Sequence, residues 1–142
     1  MAANALLLPF FATMALTCVV WVYMFARRIP FIQNSGLTPE ELATPGRLIE
    51  MQPAEVSNPS DNLKNLFEMP VLFYGTVLAI VVTGQVDALY VACAWAFFGF
   101  RSLHSLMHCT VNIVMVRFML YLGSCIALFI MVFCGLAANL GG

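Results

Sequence analysis

Residues 5–28 read ALLLPFFATMALTCVVWVYMFARR, an uncharged run closed by Arg27 and Arg28. A helix needs about 20 apolar residues to cross the roughly 30 Å hydrocarbon layer of a bilayer, and this run supplies them. It does not read as a cleaved leader. No basic residue precedes it, the apolar part is too long, and the arginine pair closes it as a stop-transfer flank does. Further apolar runs follow over 66–83, 88–107 and 113–137. Glu68 interrupts the first of these, Arg101 lies near the end of the next, and Arg117 near the start of the last. Four spans with short connections use nearly all 142 residues, so 1–142 reads as a single domain, an all-α membrane protein built as a four-transmembrane-helix bundle.

Composition agrees. Hydrophobic residues make up 62% of the chain and charged residues 9%, against about 25% charged in a soluble domain. Six Lys plus Arg and seven Asp plus Glu are too few to coat a water-facing surface. An ordinary soluble domain, a disordered chain and a nucleic-acid binder with a basic face are excluded. What remains is an integral, multi-pass membrane protein in contact with lipids. Its basic residues are unevenly placed. Arg27, Arg28, Arg47 and Lys64 lie in or beside the first loop, 27–65, and Arg101 and Arg117 flank the third. The N-terminus, the second loop (84–87) and the C-terminus carry none. The positive-inside rule then makes the first and third loops cytoplasmic and puts both termini outside.

The first loop is the one long polar segment. Pro30, Pro39, Pro45, Pro53 and Pro59 argue against a long helix through it. Thr38-Pro39-Glu40-Glu41 suits a short helix with Thr38 as its cap. Ser60 or Asp61 is placed to cap the second spanning helix, and Pro70 to bend it. Cys18, Cys93, Cys109, Cys125 and Cys134 lie mostly inside apolar runs with no CxxC pair. They read as small buried hydrophobes, with neither a disulfide framework nor structural zinc expected.

Polar residues at membrane depth carry the functional signal. A charge in the hydrocarbon core costs at least about 2.5 kcal/mol on insertion scales, so it persists where it is paired or lines a wet cavity. Asn65 and Glu68 are three residues apart. Arg101, His104 and His108 share one helical face, and Arg117, Tyr121 and Ser124 share another. All belong to the end of the bundle expected to be cytoplasmic, which predicts a polar pocket between helices there. Glu68 is the one acid at that depth, against two arginines. The surplus positive charge suits an anion. Arginine forks match carboxylates, and a nearby arginine lowers the pKa of a thiol, so a peptide-like ligand with carboxylates and a thiol fits. Plainer readings stand beside this one: Glu68 with one arginine as an interhelical pair, and Arg117 reaching out to headgroups. The spacing of His104 and His108 also suits two imidazoles on one metal or haem. No further ligand shares their face, so no metal is assigned.

Four short spans, a long first loop, Asn65-Leu-Phe-Glu68-Met-Pro70-Val-Leu-Phe-Tyr74, and Arg101-Ser-Leu-His104 followed by Arg117 and Tyr121 resemble the MAPEG family, the membrane-associated proteins of eicosanoid and glutathione metabolism. The resemblance implies a homotrimer of four-helix subunits that binds glutathione between subunits near the cytoplasmic side. It implies that Asn65, Glu68, Arg101 and His104 hold the peptide, with His108 on the same face and Arg27 (or Arg28) reaching the ligand from the first helix. It implies that Arg117 stabilises the glutathione thiolate and that Tyr121 lines the site one turn later. The Glu68-Met-Pro70 pattern resembles the bacterial branch, which implies the bacterial inner membrane with both termini periplasmic.

The expected function is therefore a membrane-bound, glutathione-dependent transferase or peroxidase. Glutathione is the co-substrate, and a lipophilic electrophile or lipid hydroperoxide is the small-molecule substrate. His108 stands where characterised members of the family carry tyrosine, and Phe118 where the prostaglandin synthase branch carries serine. These departures also fit a non-catalytic subunit or scaffold of the same fold, held in a larger membrane complex.

Overall fold

The computed structural model describes residues 1–43, 46 and 50–140. The chain folds into helices α1 (Asn4–Asn34), α2 (Pro39–Leu42), α3 (Ala54–Leu66), α4 (Met69–Val82), α5 (Ala88–Cys109) and α6 (Val114–Leu140), with no strand among the described residues. Pro45 and Arg47, assigned from sequence to the first loop, lie outside the described residues.

Three of these units are long and apolar enough to cross a membrane: α1, the α3–α4 unit over Ala54–Val82, and α6. With 22 residues, α5 has the length for the expected third span but falls outside that set. The reason is its face: Arg101, His104, Ser105 and His108 are all buried in the bundle, while Leu103 and Leu106 point outward. A helix that is polar toward its neighbours and apolar toward lipid is how ionisable groups are carried at membrane depth.

The helix ends differ from the sequence expectation in two places, and both involve proline. The first span ends at Ala26 on hydropathy, yet α1 runs on to Asn34 through Pro30. The carbonyl that Pro30 leaves without a donor is that of Ala26, at the very end of the apolar run beside Arg27 and Arg28, where water can satisfy it. The second helix starts at Ala54 rather than beside Ser60 or Asp61, and holds Pro59 in its interior. The Pro59 ring is fully buried, and that packing offsets the lost backbone bond. Pro70 does more than bend the second span. The helix breaks between α3 and α4, with Glu68 at φ −98°, ψ −102° and Pro70 in the first turn of α4. The short α2 opens as its sequence suggests. Thr38 N donates to Glu41 Oε2 at 3.0 Å and Glu41 N donates to Thr38 Oγ1 at 3.3 Å, a reciprocal capping box.

The core is apolar and spans four helices. Leu6 and Phe10 of α1 meet Phe73 and Val77 of α4, Phe97 of α5, and Leu128 and Met131 of α6. Phe73 and Phe97 stack with centroids 4.3 Å apart and planes within 10°. Asp87 caps α5 by accepting from Tyr90 N at 2.9 Å. This apolar body fills the end nearest the termini and leaves the other end to the polar residues of α3, α5 and α6.

Candidate functional site

The polar end is held by a ladder of amides. Asn58, Asn62 and Asn65 recur at i, i+4 and i+7 on α3 and so share one face. Each meets a residue of α5 or of the turn after it. Asn62 is fully buried, donates to Cys109 Sγ at 3.5 Å, and accepts from Ser105 Oγ at 3.4 Å. Asn65 Nδ2 approaches His108 Nδ1 at 3.5 Å, so His108 accepts there. Asn58 Oδ1 accepts from Asn112 Nδ2 at 3.0 Å. Of these amides, Asn58, Asn62 and Asn112 were missed as site residues by sequence reasoning. The spacing of three asparagines along one face of α3 was the visible signal for Asn58 and Asn62; for Asn112 there was none.

Asn112 sits in the turn between α5 and α6 at φ 51°, a left-handed conformation that asparagine tolerates better than most residues. Its backbone N–H donates to Met107 O at 2.8 Å and closes the end of α5. Its side-chain oxygen accepts from Arg117 Nη1 at 2.6 Å. The turn therefore sets the position of the Arg117 guanidinium with a neutral group and leaves its charge uncompensated. Replacing Asn112 with Gly keeps the backbone and loses both side-chain bonds, for an expected loss of about 1–2 kcal/mol. Replacing it with Val adds backbone strain, for about 1–2 kcal/mol more. Thermal unfolding in detergent separates the two; equal midpoints would exclude the strain.

Arg117 lines a cleft of about 200 Å³ with Asn65, His104, Val114, Phe118 and Tyr121. His104 Nδ1 donates to the Arg117 carbonyl at 2.9 Å, which fixes its tautomer. Its Nε2 is buried with no hydrogen-bond partner. Behind Tyr121 lies Arg101, at 0% exposure. Its guanidinium carbon is 4.8 Å from the Tyr121 ring centroid and 5.7 Å from that of Phe97. None of its three side-chain nitrogens has a hydrogen-bond partner. Ring faces attract a cation but do not satisfy its N–H groups.

The sequence-predicted residues thus divide. Asn65, His104, Arg117 and Tyr121 share the cleft. Arg101 stands directly behind it, and His108 packs beside it through Asn65 and the His104 ring, 5.7 Å away. Glu68 is carried to the surface by the α3–α4 break, and its carboxylate makes no hydrogen bond or ion pair among the described residues, though it lies within electrostatic reach of Arg101 and Tyr121. Arg27 is elsewhere: its Nη2 bonds Glu55 Oε2 at 2.8 Å in a different cleft. No group of His, Cys, Asp and Glu suited to a metal occurs among the described residues.

Chemically, the cleft presents guanidinium N–H donors, an imidazole nitrogen, an amide and a phenol, with no carboxylate on its wall. It can take an anion with several acceptors. A family model described as the MAPEG family matches residues 6–137. No curated protein and no solved structure matches the chain.

Proposed function

The chain belongs to the MAPEG family, and on that footing we propose that it is a membrane-bound glutathione-dependent transferase or peroxidase working as a homotrimer. The single observation that carries this reading is Arg101. A fully buried guanidinium with three unpartnered nitrogens is costly unless an anion reaches it. It stands behind a cleft that already holds Arg117 and the free Nε2 of His104.

Glutathione fits the donor set: its carboxylates suit arginine forks, and Asn65 offers an amide to the peptide. Bound there, it supplies a thiol that, once ionised, adds to a lipophilic electrophile or reduces a lipid hydroperoxide. The chain's own residues do the rest. Arg117, positioned by Asn112, places positive charge where a thiolate is favoured. Tyr121 and Phe118 form the apolar rim that a substrate from the lipid meets. Arg101 and His104 hold the peptide.

A cleft of about 200 Å³ falls short of the roughly 300–1,000 Å³ of ordinary ligand sites. A neighbouring subunit that closes over Glu68 and Phe118, both exposed in the single chain, would complete it. This supports the oligomer.

Titrating glutathione into the detergent-solubilised full chain tests the proposal. Calorimetric binding at millimolar or lower concentration, accompanied by ultraviolet thiolate absorbance, is expected. The absence of both ends this reading. Absence of both together with co-purification in a larger complex supports the scaffold reading instead.

A further inference from the structure

Two clefts run into one another between α1 and the end of α5, and neither shares a lining residue with the Arg117 cleft. One, of about 280 Å³, is walled by Leu16, Val19 and Val20 of α1 and Leu106 of α5. The other, of about 750 Å³, is walled by Arg27, Glu55, Asn58 and Asn112. Tyr23, Cys109 and Thr110 line both, so the two form one groove. The apolar part lies along the middle of the α1 apolar run and opens sideways: Val19 is 65% exposed and Leu106 62%. The polar part lies where that run ends.

A groove that is apolar at membrane depth and polar at its end is shaped for an amphiphile. Its mouth says which kind. Arg27 and Glu55 form an ion pair at 2.8 Å, both open to the outside, beside the uncharged amides of Asn58 and Asn112. A purely anionic headgroup would meet Glu55 as a like charge, and a purely cationic one would meet Arg27. A headgroup carrying both a phosphate and an ammonium complements both members of the pair. We propose that this groove holds one zwitterionic glycerophospholipid, its phosphate against Arg27, its ammonium against Glu55, and an acyl chain along Val19, Val20 and Leu106.

The site does not rest on the glutathione reading, and its test needs no turnover. The full chain, purified in mild detergent, is incubated with phosphatidylethanolamine or with phosphatidylglycerol of the same acyl chains, and retained lipid is read by native mass spectrometry. The wild type is expected to retain phosphatidylethanolamine about tenfold better, the scale of one charged contact. Glu55→Gln should erase the preference. The exchange of Arg27→Glu with Glu55→Arg should restore it, since the pair is kept. Leu106→Trp, which fills the apolar part, should lower retention of both lipids. Equal retention of the two lipids by the wild type overturns the proposal. So does a Leu106→Trp variant that keeps its lipid but changes oligomeric state, because the groove is then covered by a second copy.

Discussion

Arg117→Ala is expected to cut the ultraviolet absorbance of bound glutathione thiolate roughly tenfold at neutral pH. A thiol of pKa about 8.5 is a few per cent ionised at pH 7, and a positive charge at contact distance lowers that pKa toward neutrality. Arg117 is suited to supply the charge. Its Nη1 is held by a neutral amide at 2.6 Å, and it forms no ion pair among the described residues. Arg117→Lys keeps the charge and loses the fork, and should retain part of the absorbance. Arg117→Ala should weaken binding less than it lowers ionisation, because Asn65, His104 and Arg101 still hold the peptide. Unchanged absorbance in the alanine variant would remove Arg117 from the chemistry.

Arg101→Met is expected to raise stability while abolishing glutathione binding. A buried guanidinium with no partner is a standing cost to the single chain. Replacing buried charges with apolar residues of similar size is commonly neutral or stabilising by about 1–4 kcal/mol. Methionine fills the space between Phe97 and Tyr121 and adapts its shape readily. Denaturant unfolding of the ligand-free protein in detergent should show the gain. Glutathione, which should stabilise the wild type by mass action, should then have no effect on the variant. A loss of several kcal/mol would mean that a neighbouring subunit satisfies Arg101 and that its role is structural.

Much of the bundle was legible in the sequence because apolar runs and helical spacing report directly on burial. Arg101, His104 and His108 step by three and four, and all three are buried on one face of α5. Arg117 and Tyr121, one turn apart, line one cleft with His104. The less legible parts are those that hydropathy and spacing do not encode. Glu68 follows Asn65 at helical spacing, but that spacing holds only for an unbroken helix, and the break before Pro70 turns Glu68 outward. Arg27 is drawn to Glu55, 28 residues away, through the docking of α3 on α1. Asn112 looks like an ordinary turn residue until its amide is seen between Asn58 and Arg117.

The break at Glu68 has a consequence for the surrounding lipid. At about 1.5 Å per residue, the 14 residues of α4 measure roughly 21 Å, less than the roughly 30 Å of hydrocarbon, so the end of α3 completes the crossing. A carboxylate and the interrupted backbone beside it therefore sit below the level at which headgroups normally lie. An exposed carboxylate at that depth draws water and headgroups inward. The acyl layer is then shallowest beside the broken helix, so greasy molecules dissolved in it have the shortest way there to the aqueous boundary.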